Sequence, residues 1–185
     1  MSVVRESMSG QLVRLTHTYR YSSIPVLVRE NVAEHSFWTA IIAVTIAIEM
    51  NMSRQAIGEV ALKSLLHDIE ESMTGDLIRD MKYFDEETRE AIGRVENEFA
   101  SRIFSKLGAI GPWFEGWWTN SKDNSPAGRV VALADLLCVI MYVEHERTLG
   151  NANKALSEIR SDCAKLIESK FLGTELEAIA MEAIA

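Results

Sequence analysis

The chain has few of the residues that build small disulfide or zinc-stapled folds: two cysteines, Cys138 and Cys163, stand far apart with no CxxC or Cys/His spacing. That excludes a disulfide framework and a thiolate metal site, and it suits a cytoplasmic chain with reduced thiols. Positive charge is also short. Nineteen lysines and arginines face 27 acids, for a net charge of −8, so no basic stripe offers counterion release to a nucleic-acid polymer. The longest apolar run, from Phe37 to Ile48, is interrupted by Thr39 and Thr45, which is too short for a membrane span. The opening MSVVRESMSG has no apolar secretory region. No strand alternation, glycine-rich phosphate loop, internal repeat or low-complexity tract occurs.

What remains is helical. At 185 residues with 48% hydrophobic composition, the chain is long enough for one domain with a substantial core, and the expectation is an all-α single domain over residues 1–185. A short helical pattern over 11–19 leads into RYSSIPVLVRE, where Pro25 and two serines discourage a helix. Asn31 with Glu34 reads as an N-cap and its capping-box partner, opening the helix VAEHSFWTAIIAVTIAIEM. Ser53 caps the next, which the pattern carries on to Gly75. DLIRDMKYF reads as irregular. Asp85 begins a long amphipathic helix ending near Gly108, Ser125 and Pro126 open another that runs to Gly150, and two more amphipathic helices finish the chain. PWFEGWW at 112–118 suits a core plug, a pocket wall or a subunit contact, and being more apolar than an ordinary surface loop it points to a homo-oligomer.

Chemistry gathers in VALKSLLHDIEESMTGD, residues 60–76. His67 and Asp68 diverge by about 100° around a helix axis, so both reach one ion only if it lies beside the helix. Glu71 falls on the same face, four residues after His67 and three after Asp68. Three acids within four positions beside a buried stripe are costly without a cation. His35 sits in the first turn of the helix after Asn31, where it reads as a core or capping histidine unless a second ligand meets it. Asp135 lies among Val130, Val131, Leu133, Leu136 and Leu137, where a carboxylate calls for a metal, a polar partner or an intrahelical hydrogen bond. Arg20 beside Tyr21 reads either as a surface pair or as a phosphate clamp with an aromatic cover. Asp76, Arg79 and Lys82 are charges placed to face a site opening.

The order His35, His67-Asp68, Asp135 resembles the metal ligands of HD-domain phosphohydrolases. Arg20, ENVAEHS at 30–36, LLHDIEESMTGDL at 65–77, MKYF at 81–84 and the AD of 134–135 are similar to the bacterial 5'-deoxynucleotidase branch. The resemblance implies a helical HD-domain bundle and one divalent ion held by His35, His67, Asp68 and Asp135. It further implies that Glu71 assists the attacking water, Asp76 helps hold the substrate, and Arg20 and Lys82 lie near the phosphate. Two positions depart from that pattern: Tyr21 stands where the family usually has Trp, and Ala132 where it usually has Lys. Two imidazoles and two carboxylates suit Mn, Co, Fe or Zn. The implied reaction is hydrolysis of a deoxynucleoside monophosphate, a small-molecule substrate, with Tyr21 excluding a 2'-hydroxyl. Phage relatives cleave deoxynucleoside triphosphates, some preferring dATP; for such a substrate Arg79 and Arg129 would extend the cationic surface. A helical interaction domain would keep these ligands only as a metal staple and would require neither Glu71 nor Arg20; a dinucleotide phosphodiesterase commonly recruits extra ligands for a second metal, and no additional HD or HH pair occurs here.

Overall fold

The computed structural model describes residues 12–185; the reading of MSVVRESMSG and the first residue of the 11–19 pattern lie outside them. Among the described residues there is no strand, only an isolated antiparallel bridge between Tyr19 and Asn31. The segment expected as a helix from 11 is a 3-10 turn, Leu12–Thr16, where Thr16 and Thr18 hydroxyls donate to the carbonyls of Val13 and Arg14 and compete with helical bonding.

Helix α1 spans Val32–Glu49 and starts on the reciprocal Asn31–Glu34 capping box. Helix α2, Arg54–Leu66, is capped by Ser53. Two one-turn helices follow, α3 (Glu71–Thr74) and α4 (Arg79–Lys82), the second in a stretch that the sequence presents as irregular. Helix α5, Glu86–Ser105, begins on Asp85, and α6 is Gly111–Thr119. Helix α7, Pro126–Thr148, starts on Ser125. Helices α8 (Lys154–Phe171) and α9 (Glu177–Ile184) close the chain.

The sequence carries α2 to Gly75, but the helix stops at Leu66. From there Ile69 N–H bonds Leu66 O and Glu71 N–H bonds Asp68 O, tighter i to i−3 turns. Ile69 is drawn into a second core cluster with Ala100, Ile103 and Phe104, and buried Glu70 accepts the indole N–H of Trp118 at 2.7 Å. Gly75, at φ +74°, ends α3 instead.

The main core is built on α7, whose Val130, Val131, Leu133, Ala134 and Leu137 meet Ala43, Ile46 and Ala47 of α1, Val60 of α2, and Ile167 and Phe171 of α8. By length and apolarity α1 and α7 would each reach across a bilayer. In α7 the apolar 18-residue stretch is instead 67% buried inside the bundle, which accounts for its composition. Trp118 packs on the second cluster, so PWFEGWW is a helix that is partly core plug. A third cluster of Tyr142, Val143 and Leu156 receives Tyr21, Ile24 and Val26 from the loop before α1.

Candidate metal centre

The first turn of α1, the end of α2 and the middle of α7 meet at one point. His35, His67, Asp68 and Asp135 each offer a ligand atom, and these atoms all lie within 4.8 Å of one another. Nε2 of His35 is 2.9 Å from Asp135 Oδ1 and 3.7 Å from Asp68 Oδ2; Nε2 of His67 is 3.0 Å from Asp68 Oδ2 and 3.7 Å from Asp135 Oδ1. Metal bonds of about 2.1 Å separate neighbouring ligand atoms by about 3.0 Å in an octahedron and about 3.4 Å in a tetrahedron, so the four atoms are spaced for a single divalent ion. His67 supports the same conclusion. Its Nδ1–H donates to the Ser64 carbonyl at 2.6 Å, which fixes the ring and turns Nε2 to the carboxylates. That Nε2 is buried and faces the carboxylates without a well-formed hydrogen bond, Asp68 Oδ2 lying 3.0 Å away.

The local electrostatics follow from burial against charge. Burial pulls His67 down, but the Asp68 carboxylate outweighs it and raises the imidazole to about 9. His35 is lowered to about 4 by burial and by Arg20. Burial favours the neutral forms of Asp68 and Asp135, yet His67 and Lys122 hold Asp68 well below the usual carboxylate range, and Lys122 and His35 do the same for Asp135. Glu71 moves the other way: burial, then Asp68 and Asp76, push its carboxyl well above the usual range, and its Oε2 is buried without a partner. A cation at the four ligands would stabilise its charged form.

Arg20 is held beside this centre by the loop between the 3-10 turn and α1. Its amide donates to Glu30 O at 3.0 Å, and its Nη1 is 3.8 Å from Glu30 Oε2, buried and without a hydrogen-bond partner. Burial raises the Glu30 carboxyl to about 7. Tyr21 adopts a left-handed φ of +57°, which costs about 1 kcal/mol or more for a non-glycine residue. Asp76 offsets it, accepting the Tyr21 N–H at 3.2 Å. The Tyr21 ring stacks on Tyr142 at 4.5 Å, and its hydroxyl is buried and unpartnered. Lys82 and Arg79 each have a partner, and Lys82 also feels the Asp68 and Glu70 carboxylates, which with Glu96 outweigh burial and raise its pKa. The Lys82 ammonium is 2.6 Å from Glu96 of α5, and the Arg79 guanidinium lies 4.8 Å from the Tyr83 ring centroid.

Residues 8–178 match the profile described as 5'-deoxynucleotidase YfbR-like. The chain belongs to the YfbR-like 5'-deoxynucleotidase family. Among its YfbR-like relatives, the 5'-deoxynucleotidase of Pasteurella multocida is 27% identical over 162 residues, covering 85% of this chain and 82% of that one. The Photorhabdus temperata 5'-deoxynucleotidase yfbR is 28% identical over 157 residues, with coverage of 82% and 79%. The fold is that of an HD-domain phosphohydrolase from Listeria innocua, at TM-score 0.74 and 22% identity over 94% of each chain. The cyanophage S-2L HD phosphohydrolase DatZ, solved with dA and one catalytic Zn2+ ion, aligns at TM-score 0.64 and 13% identity over 100% of this chain and 92% of its own.

Two features of this YfbR-like site escape sequence reasoning. Lys122, in the turn before α7, places its ammonium 2.7 Å from Asp135 Oδ2 and 3.7 Å from Asp68 Oδ1; no spacing rule links it to either. Glu146, fully buried near the end of α7, accepts the N–H groups of Leu27 and Val28 at 2.8 and 2.7 Å and the Asn151 amide at 2.6 Å, tying down the loop that carries Arg20. The turn holding Lys122 is itself tightly seated. A Cβ on Gly128 would lie 2.4 Å from the Asp123 carbonyl oxygen and 2.7 Å from its nitrogen.

Proposed function

We propose that this chain is a metal-dependent 5'-deoxynucleotidase that hydrolyses deoxynucleoside monophosphates to deoxynucleoside and orthophosphate. The observation that carries the reading is the convergence of four ligand atoms with two buried, unpartnered polar atoms, Arg20 Nη1 and Glu71 Oε2. A structural metal staple needs the first group and has no use for the other two. A divalent ion at His35, His67, Asp68 and Asp135 would supply Lewis-acid polarisation and an acidified water. Mn, Co, Fe and Zn all suit the donor set.

The side chains divide the remaining work. Arg20 offers a buried guanidinium to the phosphate and to charge that develops on it. Glu71 orients the attacking water and takes its proton, and Asp76 keeps the Arg20–Tyr21 loop in register. Tyr21 covers the sugar and limits room for a 2'-hydroxyl. Lys82 helps Arg20 at that one phosphate, and monophosphates are favoured over triphosphates because Arg129, one of the two cations that would extend the surface for a longer anion, is held by Glu175 and the Asn124 carbonyl. A homo-oligomer is part of the proposal, its contact drawn from Phe37, Trp38, Ile41 and Ile48, which are large, apolar and exposed on α1.

Product analysis on ribo- and deoxynucleoside mono- and triphosphates with each metal tests the reading. Orthophosphate from deoxynucleoside monophosphates is the expected result. Triphosphate released from deoxynucleoside triphosphates, with monophosphates inert, would make it a triphosphohydrolase. Equal cleavage of ribonucleotides would remove the role of Tyr21, and metal binding without turnover on any substrate would leave a stapled interaction domain.

A further inference from the structure

The two ligand carboxylates are divided between two sets of partners. Asp135 Oδ1 and Asp68 Oδ2 face the imidazoles, while Asp135 Oδ2 and Asp68 Oδ1 face the ammonium of Lys122 at 2.7 and 3.7 Å. Exposure orders these groups from inside to outside. Both imidazoles are 0% exposed, Asp68 and Asp135 are 16% and 21% exposed, and Lys122 is 36% exposed. Histidines therefore form the floor, carboxylates the rim, and Lys122 stands over the rim on the solvent side.

Among the described residues, Lys122 is the one lysine or arginine with a nitrogen within 4 Å of Asp68 or Asp135. The turn next to it is anchored: the neighbouring Asp123 carboxylate accepts Lys63 Nζ at 3.3 Å and the Ser125 N–H at 3.1 Å. A lysine head on a flexible stem can re-aim within a few ångströms. Once a divalent ion has taken up the charge of both carboxylates, they attract the ammonium less, while an incoming phosphate attracts it more.

We propose that Lys122 is a phosphate-binding residue: with the centre loaded, its ammonium turns from Asp135 to a non-bridging oxygen of the phosphate monoester dianion, which Lys122 and Arg20 together neutralise. The proposal rests on the phosphatase reading above, and the test separates the two.

Inorganic phosphate is titrated calorimetrically into the metal-loaded chain, for wild type, Lys122→Gln, Lys122→Arg and a surface control, Lys165→Gln, whose lysine pairs with Asp162. Metal per chain is measured on the same samples. Losing one charge-assisted hydrogen bond weakens binding by roughly 10- to 100-fold, so Lys122→Gln is expected to retain its metal, bind phosphate that much more weakly and raise KM more than it lowers kcat. Lys122→Arg is expected to stay within a few-fold of wild type, and the control to be unchanged. If Lys122→Gln does not fold, Lys122→Cys is aminoethylated or carboxamidomethylated, with Cys138 and Cys163 buried and shielded. Only the amine should restore phosphate affinity. Unaltered phosphate affinity in the neutral variants, or loss of metal from them, overturns the proposal; the second result would make Lys122 a clamp for the carboxylates. A wild type that binds phosphate through Lys122 yet turns over no nucleotide would sink the phosphatase reading and leave this one standing.

Discussion

Replacing Glu146 with glutamine leaves shape and volume almost unchanged but takes away one acceptor oxygen and the charge. The carboxylate receives three hydrogen bonds, from Val28 on Oε1 and from Leu27 and Asn151 on Oε2, in a setting of 0% exposure. An amide can keep its oxygen on only one side, so at least one backbone N–H is left facing an NH2. That bond, to a charged group, contributes about 1.5–3 kcal/mol. The remaining bonds lose charge assistance, which roughly doubles a hydrogen bond, so the total is about 3 kcal/mol. For a chain of this size that lowers Tm by roughly 6–12 °C. If the loop detaches locally instead, the loss appears as a raised KM, because the same loop holds Arg20. The pH dependence has a definite sign. Burial raises the Glu146 pKa, but the Leu27, Asn151 and Val28 donors outweigh it and set the group below its ordinary value of 4.5. Its contribution is present above that value and is lost as pH falls through the folded one, so wild type and Glu146→Gln should converge in acid. Thermal denaturation from neutral pH down to about pH 3, with a phosphate-release assay alongside, measures both. A Tm within about 2 °C of wild type at neutral pH, with KM unchanged, would refute this account of the loop anchor.

His67→Ala or Asp68→Ala should abolish both metal binding and turnover, read by elemental analysis and phosphate release; full metal occupancy in either would mean the ligand set is wrong. Glu71→Gln should keep the metal while turnover falls by roughly 10²- to 10⁴-fold, and rates near wild type would pass proton handling to another group, Asp76 first. Light scattering should report a mass above one chain, with Trp38→Glu reducing it; a monomeric wild type contradicts the subunit contact on α1.

Signals confined to a few residues were legible in the sequence. The Asn31–Glu34 box and the Ser53, Asp85 and Ser125 caps all act within one turn, and the apolar stripes of α1 and α7 mark the central helices. The His35, His67-Asp68, Asp135 order was legible too, because three helices packed on one core bring it together. What a local pattern could not carry is partnership across the chain. Trp118 donating to Glu70, Lys82 held by Glu96, Glu146 reaching Leu27 and Val28, and Lys122 reaching Asp135 are settled by tertiary packing. The stop after Leu66 belongs with them: Ile69 and Glu70 find their partners on α5 and α6, and those contacts outweigh a helical pattern that runs on to Gly75.

Gly128 bears no functional group, yet a single added methyl there would strike the backbone of Asp123. The residue displaced with Asp123 is its neighbour, Lys122. A change from glycine to alanine, the mildest in the genetic repertoire, would thus act on the charge balance of the centre through the path of the main chain. The position illustrates how a site can be lost by inheritance of a side chain where none is tolerated, with every residue that touches the reaction intact. Judging divergent relatives of this chain by their ligands alone would miss such a loss; the small residue opening α7 carries part of the same information.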